Sequence, residues 1–135
     1  MANIDPPPKP SGKLALQTIA MPKDTNANGD IFGGWLVSQM DLAGGVMAGR
    51  LAKGRVATVA IDRMSFMQPV KVGAIVSCYC NVAAIGRSSI ELNVEVWATY
   101  AEESEPNKVT DGNFIFVAID NNGRTRTISN QASGS

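Results

Sequence analysis

Asp41 is the only charged residue between Gly33 and Gly49, in the middle of an apolar segment. If that segment is a helix, the neighbours of Asp41 three and four positions away are small or apolar apart from one serine. A carboxylate in such surroundings must reach water, find a partner or acquire a raised pKa. Because perturbed carboxylates are frequent in catalytic sites, Asp41 is a candidate general base or nucleophile. The alternative is a helix residue whose register points it to solvent.

The second candidate group is Gly33-Gly34, where a polar loop gives way to the apolar segment. The first turn of a helix carries unpaired N–H groups and the positive end of the dipole. Such groups can bind a phosphate or polarise a carbonyl oxygen as an oxyanion hole. The alternative is that Asp30 caps the helix and the glycines pack against a strand.

The spacing of these two groups predicts where they can act together. Asp41 lies about 10–12 Å along the helix axis from the helix start, at a rise of 1.5 Å per residue. A reacting atom must lie about 3 Å from both the oxyanion donors and the base. One chain therefore cannot easily supply both, whereas two antiparallel helices across a twofold axis could. We expect any catalysis to occur at a subunit interface.

A third candidate is the turn that contains Arg87, Ser88 and Ser89, where one cation and two hydroxyls could grip a phosphate. Arg124 and Arg126 follow another turn and offer the same chemistry. The alternative for both is an ordinary turn with solvated cations.

Composition excludes several other kinds of site. The chain has no histidine, which excludes Ser-His-Asp and Cys-His catalysis and histidine metal ligands. Its 12 basic residues balance 12 acidic ones, so no net charge attracts nucleic acid or an anionic membrane. Cys78 and Cys80 would share one face of a strand and are interpreted as buried, reduced thiols. We expect no metal, no cofactor and no nucleic-acid partner.

The elements that position these residues can be predicted from hydrophobic periodicity. A strand is expected at residues 14–21, a helix from Gly33 to about Ala52 that ends at Gly54, and further strands at residues 56–67, 74–84, 90–98 and 109–120. Within residues 90–98 the alternation places the even-numbered side chains in the core and Glu91, Asn93 and Glu95 towards water or a partner.

Short links between consecutive strands favour an antiparallel sheet around the single helix, an α+β fold of one domain. Residues 1–13 are interpreted as a flexible arm, residues 14–129 as the domain and residues 130–135 as a flexible tail. The N-terminus has no signal-peptide pattern, and the helix is too short and glycine-rich to span a bilayer. We therefore expect a cytoplasmic protein with no membrane partner.

The block DTNANGDIFGGW, from Asp24 to Trp35, and the SQMD that ends at Asp41 resemble the hot-dog-fold acyl-CoA thioesterases of the bacterial YciA type. The resemblance extends over about residues 14–129. It implies an antiparallel sheet of five to six strands wrapped around one helix, and hydrolysis of acyl-CoA, with coenzyme A as part of the substrate. It also implies a homodimer as the minimal active unit and assembly into a hexamer, a trimer of dimers.

The resemblance also implies roles for individual residues. Asp41 matches the catalytic carboxylate and Asn26 a polar partner from the neighbouring subunit. Gly33 and Gly34 match the helix start that polarises the thioester carbonyl. A segment near the CoA phosphates is matched by Arg87, Ser88 and Ser89. A hot-dog dehydratase is disfavoured because such enzymes use a histidine. A non-catalytic acyl-CoA or fatty-acid binder of the same fold is the remaining alternative.

Overall fold

The computed structural model describes residues 8–128, in which one long helix packs against an antiparallel sheet of five strands. In chain order the elements are β1 (Lys13–Ile19), a short 3-10 turn (Pro22–Asp24), α1 (Gly33–Ala52), β2 (Val56–Phe66), β3 (Ile75–Ile85), β4 (Ser89–Thr99) and β5 (Asn107–Ala118). The strand order across the sheet is β1-β3-β4-β5-β2. The predicted α+β architecture is confirmed, and the sheet has the lower of the two strand numbers expected. Residues 1–7 of the predicted arm, the last residue of the predicted domain and the whole predicted tail, residues 130–135, lie outside the described residues.

Helix α1 buries one face against the sheet through small residues. Met40, Gly44 and Ala48 lie on this face and are buried. A Cβ atom on Gly44 would lie 2.9 Å from the ring of Phe116 on β5, so a glycine is needed for this close approach. The element that packs so near the helix here is therefore the chain's own sheet, rather than a second helix or a ligand. No helix within residues 8–128 has the length and apolarity to cross a membrane.

Strand β4 forms the centre of the core. Its helix-facing side chains are each at most 1% exposed, as predicted: Ile90, Leu92, Val94, Val96 and Ala98. Glu95 on the opposite face does not point freely to water, because its carboxylate accepts hydrogen bonds from the Trp97 indole at 2.8 Å and from the Ser11 N–H at 3.1 Å. Of the two expectations for Glu95, water or a partner, water is excluded, since the segment before β1 crosses this face of the sheet and Ser11 donates to the carboxylate.

Strand β2 is an edge of the sheet. Within residues 8–128 it pairs with β5 alone, so its other side presents unpaired backbone groups. Val59 and Ile61 on this strand are 55% and 45% exposed. An exposed apolar edge strand is a ready template for pairing with another chain.

Candidate active site

The loop before α1 fixes the side chain of Asn26. Its Oδ1 atom accepts hydrogen bonds from the backbone N–H groups of Asn28 at 2.9 Å and Asp30 at 3.1 Å. These two donors identify the oxygen of the amide, because only an oxygen can accept them. The Nδ2 group of Asn26 therefore remains as a donor on an exposed residue, suited to a carbonyl oxygen or a water molecule.

The first turn of α1 is open to a ligand. Phe32 precedes the helix and, within residues 8–128, no side chain caps it. Asp30 does not fill that role, since its carboxylate accepts a hydrogen bond from Lys71 instead. That hydrogen bond raises the pKa of Lys71. Gly33 and Gly34 are both exposed, so N–H groups at the positive end of the helix dipole face solvent.

Asn26 and Gly33 line one cleft. The cleft has a volume of about 390 Å³, and its apolar side is formed by Leu36, Phe66 and Met67. Phe66 and Met67, at the end of β2, are each 51% exposed. This cleft, called the loop half-site below, joins two of the residues that the sequence singled out and adds an apolar wall that it did not.

Asp41 belongs to a second group of residues. It is half-buried on α1, and its Oδ1 accepts a hydrogen bond of 2.6 Å from the Thr58 hydroxyl on β2. Sequence reasoning predicted that Asp41 must find a partner or water but missed Thr58. No spacing rule links two residues on different elements 17 positions apart, so only the folded structure reveals the pair. Asp41 and Thr58 are called the carboxylate half-site below.

The two half-sites do not meet within one chain. Gly33 and Asp41 are eight positions apart on a regular helix, which separates them by about 12 Å. Asp41 does not line the cleft of Asn26 and Gly33. The helix geometry therefore agrees with the expectation that one chain carries two incomplete halves.

The turn between β3 and β4 lies near the end of α1. The carbonyl of Arg87 accepts a hydrogen bond of 2.8 Å from the Ile128 N–H, and that of Ser88 one of 2.8 Å from Ala118. The backbone of this turn is therefore held firmly. The Arg87 side chain is exposed, while Ser88 is half-buried and Ser89 is the first residue of β4.

Arg126 has a structural position that the sequence did not reveal. Its guanidinium donates to the carbonyl of Ala52, the last residue of α1, at 3.0 Å, and to that of Ile119 at 2.9 Å. Arg126 thus ties the C-terminal segment to the end of the helix. Arg124, by contrast, is exposed.

The two cysteines are buried, free thiols on β3, as predicted. Burial raises the pKa of Cys78 to about 12 and that of Cys80 to about 11. A thiol with so high a pKa is a poor nucleophile at neutral pH.

Comparison with known proteins identifies the group to which the chain belongs. The sequence profile of the Thioesterase superfamily matches residues 28–103. An acyl-CoA thioester hydrolase of Haemophilus influenzae is 55% identical over 87% of this chain and 78% of that protein. The acyl-CoA thioester hydrolase YciA of Escherichia coli is 48% identical over 88% of this chain and 92% of that protein. The hexameric thioesterase y2039 of Yersinia pestis superimposes with a TM-score of 0.87 at 47% identity, over 90% of this chain and all of that one.

A more distant structure bears on the two half-sites. An acyl-CoA hydrolase of Staphylococcus aureus, 26% identical, superimposes with a TM-score of 0.79 over 84% of this chain and 68% of that one. It has been solved as an asparagine-to-alanine variant and as an aspartate-to-alanine variant, and the two substituted positions are fifteen residues apart. With a family profile over more than half of its length and relatives near 50% identity over most of it, the chain belongs to the thioesterase superfamily of hot-dog fold, in its YciA group of acyl-CoA thioester hydrolases.

Proposed function

We propose that this protein hydrolyses acyl-CoA thioesters to free CoA and a carboxylic acid. The observation that carries the proposal is the pair of half-sites, one holding a carboxylate anchored by Thr58 and the other an uncapped helix N-terminus beside Asn26. These are the two functions that thioester hydrolysis needs, a base or nucleophile and an oxyanion hole. The same fifteen-residue spacing separates Asn26 from Asp41 and the two positions substituted in the S. aureus hydrolase.

In this mechanism the thioester carbonyl oxygen binds the N–H groups at Gly33-Gly34 and the Nδ2 group of Asn26. Negative charge that develops on this oxygen is stabilised by the donors and by the helix dipole. Asp41 either deprotonates a water molecule that attacks the carbonyl carbon and expels the CoA thiolate, or attacks that carbon itself. In the second route the thiolate leaves as a mixed anhydride forms, and water then hydrolyses the anhydride to the acid and free Asp41. A thiolate leaves readily, so the leaving sulfur needs little protonation and the absence of histidine is no obstacle.

The half-sites combine in a dimer formed through β2. Thr58 lies near one end of this edge strand, and Phe66, which lines the loop half-site, lies at the other. If two β2 strands pair antiparallel about a twofold axis near their middle, Thr58 of one protomer lies opposite Phe66 of its partner. That arrangement brings the carboxylate half-site of each protomer to the loop half-site of the other. Exposed Val59 and Ile61 supply apolar surface for the contact.

CoA extends from the reacting carbon towards the turn of Arg87, Ser88 and Ser89. This turn is linked to the end of α1 through the C-terminal segment that Arg126 attaches to Ala52. Along the helix, Ala52 lies about 16 Å from Asp41, a span suited to the extended pantetheine arm. The Arg87 guanidinium and the two serine hydroxyls would then bind phosphate oxygens. No cofactor is required, because CoA enters as part of the substrate.

The assembly we propose is a hexamer built as a trimer of such dimers, and the Y. pestis thioesterase of the same fold is hexameric. The substrates are acyl chains of varied length, because the cleft wall formed by Leu36, Phe66 and Met67 is apolar and an apolar wall distinguishes only weakly between chains that differ by a methylene group. The competing candidate is an acyl-CoA binder without catalysis, which the same fold could support.

Release of free thiol from acyl-CoA of increasing chain length tests the proposal. We expect hydrolysis by the wild-type protein, and for Asp41→Asn a loss of at least about a hundredfold in kcat, the scale of removing a catalytic base. Binding of acyl-CoA should persist in that variant. Unchanged hydrolysis in Asp41→Asn would exclude Asp41 as the catalytic group, and binding without hydrolysis by the wild type would favour the binder. In a single turnover in heavy-oxygen water, label incorporated into Asp41 would show that an anhydride forms and would exclude the simple general-base route.

A further inference from the structure

A second cleft lies on the side of α1 away from Asp41. It has a volume of about 420 Å³ and is formed by the C-terminal half of α1, the start of β1 and the middle of β3. Strands β1 and β2 are the opposite edges of the sheet, so this cleft and the carboxylate half-site lie at opposite edges. We call it the β1 cleft. Its volume is within the range of small-molecule sites, and it contains none of the residues assigned above to hydrolysis.

The walls of the β1 cleft are mainly apolar. The helix contributes Val46, Met47 and Leu51 on one face, and β3 contributes Val82 on the opposite side. Val46 and Val82 are 49% and 45% exposed. Cys80 contributes a neutral thiol, because burial raises its pKa to about 11. Such walls favour an alkyl chain, since covering them removes apolar surface from water.

The charged groups of the same cleft are all cationic, and Asn81 is its neutral polar residue. Lys13 at the start of β1 and Arg50 in the last turn of α1 both line it. No Asp or Glu within residues 8–128 lines it, and neither cation forms a salt bridge with another described residue. Two cations beside apolar walls are complementary to a molecule with an anionic head and an aliphatic tail.

We propose that the β1 cleft binds a straight-chain fatty acid as its anion, with the carboxylate between Lys13 and Arg50 and the chain along Val46 and Val82. A fatty acid is the product released by the proposed hydrolysis. Only this statement about where the ligand comes from rests on the proposed function. The cleft therefore serves as a product-binding site separate from the site of hydrolysis. Binding there depends on the head group and on these two cations.

Calorimetric titration of the full-length protein with decanoate tests the proposal. The probe of opposite head charge is decyltrimethylammonium, which has the same chain. In the double variant Lys13→Gln/Arg50→Gln we expect decanoate to bind about tenfold more weakly, as for the loss of two exposed ion pairs. The matched control Lys53→Gln/Arg124→Gln removes two exposed cations that do not line the cleft and should leave binding unchanged. Val82→Asp places a carboxylate, of the same charge as the decanoate head group, beside the alkyl chain and should weaken binding further.

Several results would overturn the proposal. Equal binding of decyltrimethylammonium and decanoate would show that the head group has no role. Equal weakening of decanoate binding in both double variants would show that the cleft has none. Displacement of decanoate by inorganic phosphate would show a phosphate site, and a changed sedimentation coefficient in Lys13→Gln/Arg50→Gln would show a cleft covered by another copy of the chain.

The Asp41→Asn variant separates this proposal from the proposed function. Undiminished decanoate binding by that variant supports a site distinct from the carboxylate half-site, whether or not the wild-type protein hydrolyses acyl-CoA. If Asp41→Asn weakens decanoate binding and the cleft variants do not, the product occupies the site of hydrolysis and the β1 cleft proposal fails alone.

Discussion

The hydroxyl of Thr58 donates a hydrogen bond of 2.6 Å to Oδ1 of Asp41, and this contact joins the middle of α1 to the edge strand β2. It occupies one carboxylate oxygen and leaves the other available for a water molecule or a carbonyl carbon. Because the hydrogen bond fixes the orientation of the carboxylate, Thr58 is a positioning residue in the proposed mechanism.

We predict that Thr58→Val lowers kcat about tenfold to a hundredfold with little change in KM, because a freed carboxylate loses its reactive orientation but the binding surfaces remain. Thr58→Ser keeps the hydroxyl and should retain most of the activity. Steady-state thiol release measures both variants. A parallel fall in Thr58→Ser and Thr58→Val would indicate that packing of the side chain, rather than its hydrogen bond, matters.

The separation of the half-sites predicts complementation between two inactive variants. In a mixed dimer of Asp41→Asn and Asn26→Ala, one composite site carries both substitutions and the other carries neither. Random mixing makes half of the dimers mixed, so activity should recover to roughly a quarter of the wild-type value. Equal co-expression of the two variants, followed by thiol-release assays on protein purified without selection for mixed assemblies, measures this recovery.

The control for complementation is a chain that carries both substitutions, mixed with Asn26→Ala. Neither composite site of that mixed dimer is intact, so no activity should return. If Asp41→Asn and Asn26→Ala also fail to complement, both residues act within one protomer and the proposed dimer site is wrong.

Much of the fold could be predicted from the sequence because its signals are local. Strict alternation in β4 predicted a core face that the structure confirms, and the helix boundaries followed from Gly33 and Gly54. The rise per residue also predicted that Gly33 and Asp41 could not meet in one chain. Thr58 and Phe116 could not be predicted, since each contacts α1 through sheet register and strand order.

The buried thiols predict a loss of stability at alkaline pH. Both pKa values are raised, from 9.0 to about 12 for Cys78 and about 11 for Cys80. Above about pH 9 the unfolded chain loses these protons and the folded one keeps them, so the free energy of unfolding falls as pH rises and is unaffected below that range. Urea denaturation from pH 7 to pH 11 measures this fall in the free energy of unfolding.

The variant Cys78→Ala/Cys80→Ala is the control for that decline, because lysines and tyrosines also titrate in this range. We expect a shallower fall between pH 9 and 11 than in the wild type. An identical slope in the two proteins would attribute the alkaline loss to other groups.

Gly44→Ala tests the close approach of α1 to the sheet. The added Cβ would lie 2.9 Å from the buried ring of Phe116, whereas a Cβ on Gly45 would meet the same ring at 3.9 Å, an ordinary contact. Overpacking costs about 1–3 kcal/mol and the gain in helix propensity is about 1 kcal/mol. We expect Gly44→Ala to lower the free energy of unfolding and Gly45→Ala to leave it unchanged or raise it. Equal stabilisation by both substitutions in urea denaturation would mean that Phe116 moves aside freely.

We predict that Arg126 contributes to the free energy of unfolding and that Arg124 does not. Its guanidinium donates to the carbonyls of Ala52 and Ile119, so it satisfies the exposed end of α1 and places a cation at the negative end of the helix dipole. Hydrogen bonds from charged groups contribute about 1.5–3 kcal/mol, and Arg126→Ala should lower the free energy of unfolding by roughly that amount. The exposed Arg124 offers the matched substitution Arg124→Ala, which should change it by less than about 0.5 kcal/mol. If Arg126→Ala instead unfolds like the wild type and raises KM for acyl-CoA, this guanidinium binds the substrate rather than the helix end.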